Sequence, residues 1–276
     1  MRHPFEVLNA NLRRGGFRAV VFDFDGTLSL LREGWARLIA ELGRDHLAVA
    51  NLIREPEADL LAYLEREMLM LSGKPSIFQM RRLAEVVAER GGTPPNDEEL
   101  LQEFLRRLLA NVQSRTDALA SGAAPPAAWT VPGSHALLDE LRRRGVALYL
   151  ASGTDRAFVD HDLRLLDLDR YFGRHVYAPA DGGPHFAKRN VIAMILREER
   201  IAGEQLLGFG DGYAETVEVK RVGGVAVGVA STEPPARLNA MKRQMLIDLA
   251  ADAIVPDYRR AGELLAWLWG EVETDV

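Results

Sequence analysis

From residue 131 to residue 269 the chain repeats one theme: a short apolar run, a glycine or polar break, then a stretch of helical period. Parallel strands need a crossover of a dozen or more residues between them, and a helix is the usual crossover. Strands alternating with helices therefore imply a doubly wound parallel sheet. The pattern predicts helices over 133–144, 155–166, 187–199, 213–222, 235–250 and 261–269. It predicts strands over 146–152, 175–178, 205–210, 224–230 and 252–255. Pro132 and Gly145 bracket the first of these helices, as a proline start and a glycine stop should.

One further strand lies far upstream. Residues 18–25, RAVVFDFD, are β-branched and aromatic and end in acids followed by glycine, which reads as a buried strand meeting a loop. Between it and the alternating region, residues 33–113 are helical in texture. Trp35, Leu38, Ile39 and Leu42 make one apolar stripe, and Leu60, Leu61, Leu64, Met68 and Leu71 a second. Ile77, Met80, Leu83, Ala84 and Val87 make a third, and Leu100, Leu101, Phe104, Leu108 and Val112 a fourth. Such spacing predicts four amphipathic helices in a small bundle. The small residues and prolines of 121–130 read as a linker back to the sheet.

Composition excludes several chemistries. The 276 residues contain no cysteine, which rules out disulfides, thiolate zinc sites and cysteine nucleophiles. Net charge is −6, and phosphate-backbone binding needs a basic stripe, so no nucleic-acid partner is expected. Arg142-Arg143-Arg144 is basic but reads as a solvated helix face. Apolar runs fall far short of the ~18 residues of a membrane span. The first residues, MRHPFEVLNANLRRGG, lack the apolar core of a signal peptide, so a cytoplasmic protein with no membrane partner is expected.

Four places carry candidate chemistry. Asp23-Phe24-Asp25-Gly26-Thr27 ends the first strand with two carboxylates one residue apart. A carboxylate can attack phosphorus, and a second can protonate the leaving oxygen and later activate water. The plain alternative is an acidic turn. Ser152-Gly153-Thr154 follows strand 146–152 and offers a hydroxyl and free N–H groups to a phosphate, or merely a helix cap. Lys188, near the start of helix 187–199, could neutralise a phosphoryl oxygen, though a lone lysine is usually solvated. Asp211, in GFGDG with Glu215 four residues on, suits Mg²⁺, which prefers oxygen ligands and few carboxylates; an N-capping aspartate is the alternative. All four lie at strand ends or helix starts of one sheet, where such folds bind ligands.

In this order, DFDGT (23–27), the serine of LASGT (Ser152), the lysine of FAKRNVI (Lys188) and FGDGYAE (209–215), the sequence resembles the haloacid dehalogenase-like hydrolase superfamily. The likeness covers roughly residues 17–31 and 130–270 and includes VPGSHALLDELRRRG (131–145) and GGVAVGVAS (223–231). It implies a Rossmann-like core, residues 1–31 and 130–276, with an inserted α-helical cap, residues 32–129. It implies Asp23 as nucleophile, Asp25 as general acid and base, Ser152 and Lys188 on the phosphoryl group, and Gly26, Thr27, Gly153 and Thr154 around it. Mg²⁺ would sit between Asp23, the backbone carbonyl of Asp25 and Asp211. Many members carry a second aspartate in the fourth motif where this chain has Glu215, which leaves two roles open: reaching the metal, or pairing with Lys188.

An acid at position 25 is what the phosphatases and phosphomutases of the superfamily carry and the dehalogenases lack. The resemblance thus implies a Mg²⁺-dependent phosphatase of a small phosphorylated metabolite, a sugar phosphate or a phosphoglycolate-like acid. A phosphomutase and a binding protein that has kept the fold are the alternatives, and a monomer or homodimer is expected. In the cap, Ser72-Gly73-Lys74-Pro75-Ser76, followed by Gln79 and Arg81, is a tight turn with a cation at its tip. Lys74 and Gln79 are accordingly candidate substrate contacts, with an ordinary helix–helix turn as the alternative.

Overall fold

Parallel strands buried on both faces must be apolar throughout, and the sheet of this protein obeys that rule. The computed structural model describes residues 5–72, 74–179, 187–232 and 238–272. Its strands are β1 (Glu6–Val7), β2 (Ala19–Phe22), β3 (Ala147–Ala151), β4 (Val176–Tyr177), β5 (Leu206–Gly210), β6 (Val225–Val229) and β7 (Ala253–Val255). They form one sheet in the order β1-β7-β6-β5-β2-β3-β4. Every pairing is parallel except β1 on β7. The fold is thus the expected Rossmann-like α/β core, with one short antiparallel edge strand that no periodicity announced.

The core helices are α5 (Ser134–Arg143), α6 (Arg156–Leu165), α7 (Asp169–Phe172), α8 (Lys188–Glu199), α9 (Tyr213–Arg221), α10 (Ala240–Asp248) and α11 (Ala261–Leu268); the four that precede them, α1 (Trp35–Val49), α2 (Glu57–Leu69), α3 (Ile77–Glu89) and α4 (Asp97–Ala120), build the cap. The two-residue period of β2 splits its side chains between two layers. Val20 and Phe22 join Leu137, Leu138, Leu141, Leu264 and Leu265 on one face. Ala19 and Val21 join Val191, Ile192, Ile195 and Val219 on the other.

Several boundaries differ from the sequence expectation: α4 runs to Ala120, past residue 113 where the helical texture of the sequence ends, and some strands are a residue shorter at their ends. Helix 235–250 is shorter: α10 begins at Ala240, where the Asn239 side chain accepts hydrogen bonds from Met241 and Lys242 N–H, and 235–237 lie outside the described residues. A side-chain cap of this kind fixes a start that hydrophobic periodicity cannot locate. Leu71, placed in the second stripe, lies beyond the end of α2, and its carbonyl accepts a hydrogen bond from Gln79 Nε2.

The cap helices share a core of their own built from Ile39, Leu42, Leu64, Met80, Leu83 and Phe104. Met245 of α10 belongs to that same cluster, and Met241 packs against it, so a core helix supplies part of the cap's apolar floor. The chain enters and leaves the cap side by side. Leu30 N–H donates to Trp129, Val131 N–H donates to Leu28, and Ser29 and Thr130 form a bridge.

The chain order turns around at β2. From it the sheet runs to β3 and β4 in one direction and to β5, β6 and β7 in the other. Phe22 lies level with both Leu150 and Phe209. One step beyond those residues lie the carboxyl ends of three neighbouring strands, the place where such sheets bind ligands.

Candidate active site

Register delivers the first two acids. Asp23 follows the last residue of β2, its N–H donating to Phe209 across the strand pair, and Asp211 follows the last residue of β5. The loop after Asp23 turns back on itself: Leu28 and Ser29 N–H donate to Phe24, and Gly26 N–H to Ser29. Gly26 takes φ +75°, and a Cβ there would overlap the Asp211 carboxylate. Glycine is needed here for space as well as for the left-handed backbone.

Asp23 is almost fully buried, and Lys188 Nζ, at the first residue of α8, donates to its Oδ1 at 2.6 Å. Burial raises the Asp23 pKa to about 6; the Lys188 charge opposes that rise, and the nearby Asp211 charge adds to it. Burial also lowers the pKa of Lys188 against the pull of Asp23. Glu215, one turn into α9, is buried and ion-paired to Lys188. Of the two roles open to Glu215, the structure displays the pairing with Lys188.

Asp25 sits on the opposite side of the loop. Thr154 Oγ1 donates to its Oδ2 at 2.7 Å, while Oδ1 has no hydrogen-bond partner and lies 3.9 Å from Arg32. Burial raises its pKa, with Arg32 opposing. A carboxyl whose proton is favoured and whose second oxygen accepts no hydrogen bond is suited to give a proton to a leaving oxygen. Ser152 is buried at the end of β3, its Oγ accepting from Thr154 N–H at 3.0 Å.

A cleft lies between the core and the cap. Its core side is lined by Asp23, Asp25, Ser152, Gly153 and Thr154, and its cap side by the polar Ser72, Lys74, Ser76 and Gln79 together with the apolar Trp35, Phe104 and Leu108. The cap turn therefore faces the loop that carries Asp23 and Asp25. Lys74 Nζ lies 5.2 Å from the centroid of the Tyr213 ring, a cation–π contact with the first residue of α9. Gln79 has a second use, tying the turn through Leu71, whereas Arg81 faces away and pairs with Asp97. Gly26 and Thr27, expected at the substrate, instead lie under the cleft: neither lines it, and Thr27 is fully buried.

Three side chains at the site were not expected from the sequence. Arg32 is buried against Phe158, ion-paired to Asp162, and lines the cleft. Ser72 Oγ donates to Asp211 Oδ1 at 3.2 Å. Lys242 Nζ is 3.0 Å from Asp211 Oδ2 and also donates to Glu33. Burial works against the Lys242 charge, but Glu33 and Asp211 outweigh it and raise its pKa. Only the serine carried any signal, as part of a turn already singled out.

The donors fit a small hard cation. Asp23 and Asp211 are close enough for the charge of one to raise the pKa of the other, a repulsion a divalent ion would relieve. Among the described residues no three Asp, Glu or His side chains form a metal-holding group. Mg²⁺ commonly takes one or two carboxylates and fills the rest with carbonyls, water and substrate phosphate.

A family model for haloacid dehalogenase-like hydrolases matches residues 17–223. Nothing matches among the curated proteins. Among solved structures, a predicted phosphoglycolate phosphatase from Haemophilus somnus 129PT is similar at 14% identity and TM-score 0.56, covering 90% of this chain and 98% of its own. A family hydrolase from Deinococcus radiodurans R1, solved with phosphate and sodium bound, is similar at 20% identity and TM-score 0.54, covering 92% and 97%. A β-phosphoglucomutase from Clostridium difficile is similar at 15% identity and TM-score 0.58, covering 92% and 98%. At such identities the likeness is one of fold.

Proposed function

Because the chain belongs to the haloacid dehalogenase-like hydrolases, we propose that it is a Mg²⁺-dependent phosphatase of a small phosphate monoester, working through an aspartyl-phosphate on Asp23. The observation that carries this reading is Asp25, a buried second acid beside the cleft with one oxygen held by Thr154 and the other free of hydrogen bonds, 3.9 Å from Arg32. A phosphate ester has an alkoxide leaving group, and only chemistry with such a group needs an acid there.

Lys188 holds Asp23 Oδ1, which leaves Oδ2 as the attacking oxygen. The Ser152 hydroxyl and the Gly153 N–H receive the phosphoryl oxygens. As the P–O bond to the substrate breaks, Asp25 gives its proton to the departing oxygen. It then takes a proton from the water that attacks the aspartyl-phosphate, and inorganic phosphate leaves. Asp23, Asp211 and the Asp25 carbonyl would hold Mg²⁺, which when bound would supply charge neutralisation at the transferring group. Glu215 keeps the Lys188 ammonium in place between two carboxylates.

The cleft's cap side, with Lys74, Ser76 and Gln79, offers a cation and polar tips to the rest of the substrate. That favours a polar metabolite such as a sugar phosphate or a phosphorylated hydroxy acid. The deciding assay is release of phosphate from an aryl phosphate and from a panel of phosphorylated metabolites, with Mg²⁺ and with EDTA. Mg²⁺-dependent release is expected, and no turnover on any member of the panel would overturn the reading. Transfer to a second sugar phosphate instead of water would make the protein a mutase.

The cap turn gives a sharper expectation. Lys74→Ala should raise KM for the best metabolite about tenfold, through loss of binding to its non-phosphate part, with kcat little changed. Turnover of a small aryl phosphate should stay near wild type, since that compound has nothing for the turn to grip. Equal effects on both substrates would assign the turn a structural role.

A further inference from the structure

Lys242 is the one buried lysine at this site that the phosphatase chemistry does not use. It projects from α10, the helix whose Met241 and Met245 pack against the cap, and it is 2% exposed. Its ammonium donates to both oxygens of Glu33, at 3.1 and 3.0 Å, and lies 3.0 Å from Asp211 Oδ2. Glu33 stands on the segment by which the chain enters the cap, just before α1. The other oxygen of Asp211 accepts from Ser72 on the cap turn. Asp211 is thus held at both oxygens, once by the cap itself and once by a cation shared with the cap's stem.

A carboxylate oxygen beside an ammonium has less negative potential to offer a divalent ion, and in a buried site little water screens that competition. Glu33 draws the same ammonium the other way. We propose that Lys242 is a resident counter-cation that sets the divalent-ion affinity of Asp211, and that Glu33 modulates it by holding the ammonium off that carboxylate. The proposal rests on the reading of Asp211 as a metal carboxylate. In this arrangement Lys242 is a positioning residue, and a shift of the cap's stem is transmitted to the metal site by a single side chain.

Removing a merely structural buried lysine loosens its neighbourhood and weakens metal binding. Removing a competing cation strengthens it, so the sign separates the two. Titration calorimetry with Mg²⁺ on the full chain, without substrate, should show Lys242→Met binding about tenfold more tightly than wild type. Glu33→Gln should bind about tenfold more weakly, because the ammonium is then left to Asp211 alone. In the double variant the Glu33 effect should disappear. Should Lys242→Met fail to fold, as judged by thermal melting, the Glu33→Gln result decides: unchanged or tighter binding overturns the proposal. Wild-type binding with weaker or unaltered affinity in Lys242→Met overturns the role of Lys242 alone. A wild-type chain that binds no divalent ion overturns both this proposal and the metal-dependent reading beneath it.

Discussion

Asp23→Asn is expected to lower kcat by at least a thousandfold while the protein stays folded. The substitution keeps the size and shape of a buried side chain and leaves an amide oxygen to accept from Lys188. What it removes is the nucleophilic oxygen pair, and an amide cannot form the acyl-phosphate. Burial already disfavours the charged form of Asp23, so a neutral replacement costs the fold little. Lys188 retains Glu215 as its counter-ion, which prevents an orphaned buried charge. Steady-state turnover on the best panel substrate, with a thermal melt alongside, is the measurement. Retention of even a tenth of wild-type kcat would remove Asp23 from the nucleophile's role.

Gly26→Ala should be nearly as damaging by a different route. At φ +75° an alanine carries a strain of about 1–2 kcal/mol. Its methyl would also overlap the Asp211 carboxylate and come 3.0 Å from Lys242 Nζ. Asp211 is wholly buried and held at both oxygens, so it has little room to retreat. Displacing it should weaken Mg²⁺ binding and cut kcat/KM at least a hundredfold, with stability falling by about 2–3 kcal/mol in urea unfolding. A variant with wild-type Mg²⁺ affinity would show that the loop and Asp211 do not depend on each other's position.

The parts of this molecule that were legible in the sequence are those decided locally. Strands such as AVVF and LLGFG are apolar without interruption, and the acids that end them break the pattern abruptly enough to be seen. The four cap stripes likewise record one buried face each. Other features depend on what the rest of the chain brings near. The two residues of β1 are strand only because β7 presents an open edge to them. Helix α7, four residues long, is too short for any period to register. Arg32 and Lys242 look like ordinary solvated charges in a helical or loop context, and their burial follows from Asp162, Asp25, Glu33 and Asp211 arriving from distant segments. A charge's partners are a tertiary fact, and sequence spacing is silent about them.

The position of β2 inside the sheet, between β3 and β5, has a consequence for how the protein is made. Both of its neighbours, β3 and β5, come from the far side of the cap in sequence. On the ribosome, which releases the chain from its amino end, β2 emerges with no strand to pair with. The four cap helices emerge next and contact mainly one another, so they can gather while the sheet still waits. The apolar run Ala19–Phe22 therefore spends the whole interval of cap synthesis as an unpaired sticky segment. Arg13, Arg14 and Arg18 on one side and Asp23 and Asp25 on the other flank that run with charge, which is what a nascent strand needs to resist pairing with the wrong chain.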